Sequence, residues 1–134
     1  MKIFLDTNIF LDLILKREKY QDALIILNSV ESSLFDATIL DITLLNIDYI
    51  AKKQVKDIKE FLNAINSSFE VVGANNQHIT KALNLQNIDF EDNLQYTLAK
   101  ESRCKIIVSN DKDFIKKDIE VLSSSEFIMR FDLQ

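Results

Sequence analysis

The sequence predicts an α/β fold, a parallel sheet sandwiched by helices, and three observations predict it. Short runs rich in β-branched and bulky apolar residues alternate with longer stretches whose apolar residues recur at three- and four-residue spacing. The short runs are apolar nearly throughout, as strands buried on both faces are. Of the 134 residues, 47% are apolar, enough for one core without staples, so a single domain over 1–134 is expected.

In chain order, strands are expected at Lys2–Leu5, residues 34–39, residues 69–72, residues 105–108 and Glu120–Leu122. Between them, Ala23, Leu24, Leu27 and Val30 mark one helix and Val55, Ile58, Leu62 and Ile65 another; Leu94 and Leu98, with Ala99 and Glu101 beside them, mark a third. Asp89 is a helix-start residue, and so is Ser123, which has Glu126 at capping-box spacing. Such alternation implies βαβ units with right-handed crossovers. Sites in that class lie at the carboxyl ends of strands, where the strand order reverses.

Composition narrows the function classes. Cys104 is the single cysteine, which argues against a disulfide framework and for a reducing, cytoplasmic setting. Asp6 interrupts the apolar N-terminus too early for a signal-peptide core, and no apolar run is long enough to span a bilayer, so no membrane partner is expected. Lys and Arg total 16 against 21 Asp and Glu, a net charge of −5. That sign disfavours binding nucleic acid by counterion release alone; metal ions or a local basic patch would be needed.

Three acids fall where the fold class puts its sites. Asp6 directly follows the first expected strand, Asp111 follows the fourth, and Asp92 lies in the first turn of the helix before the fourth. Carboxylates brought together there repel one another unless a divalent cation neutralises them. Hard oxygens select Mg²⁺, Mn²⁺ or Ca²⁺, and neither Cys104 nor the lone His78 has a neighbour in the sequence for a soft-ligand site. Each acid also has a plainer role available: Asp6 as an N-cap, Glu91 and Asp92 as acids favouring a helix dipole, Asp111 and Asp113 as loop residues. On spacing alone both readings stay open.

At these residues the chain resembles the PIN-domain family, in particular the bacterial branch of toxin-like ribonucleases from toxin–antitoxin pairs. Residues 2–12, with Asp6-Thr7-Asn8, look like the family's opening strand and its Asp-Thr-Asn signature. Residues 89–96, Asp89-Phe90-Glu91-Asp92-Asn93-Leu94-Gln95-Tyr96, resemble its Asp-Phe-Glu-Asp-Ala-Leu-Gln block, with Asn93 where alanine is usual. Residues 107–114, ending Asn110-Asp111-Lys112-Asp113-Phe114, are similar to its Val-Thr-x-Asp-x-Asp-Phe turn. The resemblance implies a three-layer α/β/α fold with a five-stranded parallel sheet and Mg²⁺- or Mn²⁺-dependent hydrolysis of single-stranded RNA. It also implies a homodimer and a small antitoxin partner. It gives Asp6, Asp92 and Asp111 the role of catalytic, metal-holding acids, supported by Thr7 and Asn8, with Ser109 and Asp113 beside them.

One departure stands out. Many relatives carry a fourth acid, a glutamate on the helix after the second strand, and that position falls on Asn46 here. An amide ligates without charge, so Asn46→Glu is expected to tighten Mn²⁺ binding; Asp12 and Asp113 are the nearest substitutes, while Asp48 faces away. Asn46 and the acidic net charge also fit a PIN-like domain that binds RNA or protein without cutting. Against that reading stand the three retained acids, costly to cluster without a cation. A haloacid-dehalogenase-like phosphatase would need an Asp at Asn8, and a response-regulator receiver would need one after the third strand, where Gly73-Ala74-Asn75 stand. A structure-specific DNA nuclease would need additional duplex-gripping regions. Lys112, Lys116 and Lys117, just after Asp111, are the basic residues best placed to guide RNA.

Overall fold

A computed structural model describes all 134 residues. The elements run β1 (Lys2–Leu5), α1 (Thr7–Ile14), α2 (Tyr20–Glu31), β2 (Asp36–Leu40), α3 (Asp41–Ala51), α4 (Ile58–Ser68), β3 (Glu70–Val72), α5 (Asn76–Leu83), α6 (Phe90–Glu101), β4 (Ile106–Val108), β5 (Glu120–Leu122) and α7 (Ser124–Arg130). The five strands form one parallel sheet in the order β3-β2-β1-β4-β5. This is the expected α/β/α arrangement. After β1 the chain builds outward through β2 and β3, then returns to lay β4 against the other side of β1. The order reverses at β1, and Asp6 stands at its carboxyl end.

The alternation of side chains along a strand divides the core in two. Ile3 and Leu5 of β1, Ala37 and Ile39 of β2, and Ile106 and Val108 of β4 face one layer, with Ile9 and Phe10 of α1, Ile26 of α2, Ile47 of α3, Ile65 of α4 and Phe127 of α7. Phe4, Leu40 and Ile107 face the other, against Ala82 of α5 and Leu94, Leu98 and Ala99 of α6. Both faces of the sheet are therefore covered, as its near-continuous apolar strands require. No helix is long and apolar enough to cross a membrane.

Three elements differ from expectation by more than one residue, the first being α4, which begins at Ile58 and leaves Val55 outside it. β2 begins at Asp36 because the chain leaving α2 turns through Ser33 at φ 65°, and the amides of Leu34 and Phe35 both bond Ser29 O, at 2.9 and 3.4 Å. Those residues close the helix end and cannot join the ladder. α5 has few apolar residues, with Ala82 in the core against α6, and opens with a capping box in which Asn75 accepts from the His78 amide and donates its own amide to His78 Nδ1.

Candidate metal centre

Asp6 occupies the N-cap position of α1, with extended backbone, yet its side chain makes no capping hydrogen bond to that helix. The plain capping reading therefore fails. Its two oxygens are taken by groups from elsewhere: Gln95 Nε2 of α6 donates to Oδ1 at 3.0 Å and Ser109 Oγ after β4 donates to Oδ2 at 2.8 Å. Ser109 Oγ also accepts the Asp111 amide at 3.1 Å, so one hydroxyl locks the ends of β1 and β4 together.

Asp92 reaches the same corner from α6. Asp89 caps that helix by accepting the Asp92 amide at 3.0 Å. Carboxylate oxygens of Asp89, Asp92 and Asp111 all lie within 4.8 Å of one another, a set that holds Asp89 where the sequence put Asp6. Asp92 is 5% exposed, and its Oδ2 has no hydrogen-bond partner. A buried carboxylate oxygen left without a donor is costly, and a hard cation is what this set of oxygens fits.

The electrostatics agree. Burial pushes the Asp92 carboxyl up to about 8, reinforced by the neighbouring Asp111 carboxyl and by the charges of Asp6 and Asp89. Asp6 is raised chiefly by burial, against the lowering effect of Gln95 and Ser109. Glu91, half-buried, is raised by burial and then by Asp6 and Asp89. No Lys or Arg lies in an ion pair with any of these acids.

The remaining sequence candidates fall in different places. Thr7 is buried; its hydroxyl donates to Glu91 Oε2 at 3.2 Å and meets Thr43 Oγ1 at 2.9 Å. Asn46 on α3 also donates to Glu91 Oε2, at 3.2 Å. Asn8 is exposed and its side chain joins none of these hydrogen bonds. Asp113 is exposed and donates its amide to Asp111 Oδ1 at 2.9 Å, fixing that carboxylate. Asp12 pairs with Arg17 at 3.9 Å. Lys112, Lys116 and Lys117 are exposed on the loop after β4 and enter no ion pair.

Asp89, Glu91 and Gln95 are the residues whose contacts at the centre sequence reasoning did not assign. Asp89, Asp92 and Gln95 recur at three-residue spacing, one face of a helix, and that is the signal that finds two of them. Neither soft-ligand candidate competes. Cys104 lies toward Lys2 and Thr38 at the other end of the strands, its thiol pushed up to about 11 by burial, and His78 Nε2 pairs with Glu101.

Known proteins share this architecture and sequence pattern. Residues 2–113 match the family model described as PIN domain. The chain is 32% identical over 142 residues to Ribonuclease VapC1 of Aquifex aeolicus, an alignment covering 98% of this chain and 96% of that protein. Among solved structures it resembles a toxin–antitoxin complex from Klebsiella pneumoniae, with TM-score 0.70 and 20% identity over 91% of this chain and 97% of that one. It also resembles VapBC2 from Rickettsia felis bound to a promoter DNA fragment, with TM-score 0.62 and 19% identity over 92% and 98%.

Proposed function

The chain belongs to the PIN-domain family, and from that premise we propose that it is a metal-dependent endoribonuclease, one PIN domain over 1–134, that cuts single-stranded RNA as the toxin of a toxin–antitoxin pair. The observation that carries this reading is the buried, donorless Asp92 Oδ2 beside Asp89 and Asp111, on a chain that shares 32% of its residues with a curated ribonuclease. Asp6, Asp92 and Asp111 hold Mg²⁺ or Mn²⁺, the hard divalent ions that carboxylates select. When bound, the ion supplies Lewis acidity toward the phosphodiester and lowers the pKa of water.

The chain's own residues do the rest. Gln95 and Ser109 fix both oxygens of Asp6, and the Asp113 amide fixes one oxygen of Asp111, so the ligand set is ordered before the ion arrives. Burial beneath the strand ends excludes water from Asp6 and Asp92. Lys112, Lys116 and Lys117 offer the backbone of the RNA a local basic stretch on a chain of net charge −5. The names of the relatives support a small antitoxin partner. Leu45 and Tyr49 on α3, with Ile88 and Phe90 at the start of α6, are large apolar side chains left exposed, and they support a homodimer. The setting is cytoplasmic.

The test is cleavage of a mixed pool of single-stranded RNA with Mn²⁺, with Mg²⁺ and with chelator, beside the melting temperature with and without Mn²⁺. Wild type cuts with either metal, is silent in chelator, and gains melting temperature with Mn²⁺. If it does neither, the nuclease reading fails and a non-cutting binding module takes its place. Light scattering at micromolar concentration checks the dimer, which a monomer removes.

A further inference from the structure

We propose that Arg17 binds a backbone phosphate of the RNA next to the one held at the metal centre; this rests on the RNA-cleaving reading above. The turn after α1 puts it there. Lys16 takes φ 51°, in the left-handed region, and the chain folds back so that the Arg17 amide donates to Asp12 O at 3.0 Å. The guanidinium then lies 3.9 Å from Asp12 Oδ1, beyond hydrogen-bond range, with its side chain 42% exposed. Burial raises the Asp12 carboxyl, while Arg17, then Asn110, then Lys19 lower it, so all three lie around that buried acid. Asn110 directly precedes Asp111, and its Oδ1 accepts the Ser124 amide at 2.9 Å, just past the carboxyl end of β5. Arg17 and Lys19 therefore stand on the carboxyl edge of the sheet, alongside the neighbour of a proposed metal ligand.

The plainer role is an ion pair that closes the end of α1. Backbone bonds already close it, since the amides of Leu15, Lys16 and Arg17 reach the carbonyls of Leu11, Leu13 and Asp12. A loose pair with an exposed arginine adds little to that. Arg130 shows what an arginine committed to structure does in this fold, gripping Glu120 through two nitrogens at 3.1 and 2.7 Å. Arg17 keeps its fork of donors open, and a planar fork suits phosphate. The other acids of this surface are engaged: Asp22 accepts from Ser124 and Ser125 at 3.1 and 2.9 Å, and Glu126 accepts the Ser123 amide at 2.8 Å. An RNA strand needs such a group here. The carboxylates of the centre repel every phosphate that the cation does not bridge, on a chain of net charge −5. Asp12 fixes Arg17 at the rim of that corner, and Lys19 adds a second positive charge against the repulsion.

The experiment follows steady-state cleavage, with Mn²⁺, of one oligoribonucleotide that wild type cuts. Arg17→Met is expected to raise KM by about tenfold or more with kcat within about threefold of wild type. The slope of log KM against log salt should fall by about 0.7, the share of one single-strand phosphate, and Arg17→Lys, which keeps the charge, should recover it. A single neutral methylphosphonate is then walked along the oligomer. At one linkage flanking the cut it is expected to raise the wild-type KM to that of Arg17→Met and to leave the variant's KM unchanged. An Arg17→Met KM within about twofold of wild type overturns the proposal. So does a raised KM in which every methylphosphonate costs both proteins the same, because Arg17 then acts only through the α1–α2 turn. The two readings fail separately: if wild type cuts and Arg17→Met matches its KM, only the phosphate site falls; if wild type cuts no single-stranded RNA, the nuclease reading fails and the phosphate site with it.

Discussion

At the amino edge of the sheet, Glu70 accepts from Thr38 at 2.8 Å and from Lys2 at 3.3 Å, and Arg130 grips Glu120 through two nitrogens at 3.1 and 2.7 Å. At the carboxyl edge, Asp6, Asp89, Glu91, Asp92 and Asp111 gather with no cationic side chain in hydrogen-bond or ion-pair contact. The same functional group is shifted in opposite directions. Glu70 is lowered chiefly by its Thr38 bond and Glu120 by its Arg130 bond, whereas burial raises Asp6, Glu91 and Asp92. The first edge is neutralised from within the chain. The second is left for an ion from outside, and the reversal of strand order at β1 opens its crevice on that carboxyl edge.

The comparison breaks most sharply at Asp92. Losing an outer partner of a ligand costs about 10- to 100-fold, so Asp92→Asn, which removes a ligand itself, is expected to cut RNA cleavage by more than about 100-fold. It should also abolish the Mn²⁺-induced rise in melting temperature, and a variant that keeps both removes Asp92 from the centre. Ser109→Ala comes next. Asp6 loses its Oδ2 donor, so Mn²⁺ affinity should fall by about 10- to 100-fold, with about 1–3 kcal/mol of stability lost as well; unchanged calorimetry would show that Asp6 needs no orienting partner.

A pH titration of the metal-free protein sharpens the contrast. Asp92 has its folded pKa raised from 3.8 to about 8, so its contribution is fully present below about pH 4 and is lost as pH rises through about 8. Melting temperature should therefore fall across that window, by at most about 1.4 kcal/mol of stability per pH unit for one proton. Asp92→Asn should flatten the slope, and a wild-type profile already flat there contradicts the clustering. Glu70 has the reverse sign: its folded pKa is lowered, so its contribution is present above the unfolded value and is lost on acidification. The smallest effect belongs to that edge. Lys2→Met should cost under about 1 kcal/mol, because an exposed pair is screened, and it should leave Mn²⁺ affinity untouched.

The sheet was legible in the sequence because strands buried on both faces are apolar at every position, and Ile3, Phe4 and Leu5 or Ile106, Ile107 and Val108 read that way without regard to partners. α5 was not, since its capping box is polar and its apolar positions are few. The acids at 6, 92 and 111 could be placed at strand and helix ends by element order alone. What each oxygen does there could not: the choice of Asp6 between capping α1 and accepting from Gln95 and Ser109 depends on donors far along the chain. Glu91 passed as an ordinary first-turn acid for the same reason, because Thr7 and Asn46 meet it only after α1, α3 and α6 have packed.

Asp6 is synthesised well before its two donors, which lie 89 and 103 residues downstream. Chains emerge N-terminus first at roughly 5–20 residues per second, so for several seconds at least the growing polypeptide carries Asp6 with neither Gln95 nor Ser109 available to orient it. β1 is in the same position, since its neighbour β4, paired as Phe4 with Ile107, is made long after it. A nascent chain therefore has no assembled acidic corner until β4 and the residues after it have emerged. The order of the strands alone makes the chemistry proposed for the finished protein wait on β4.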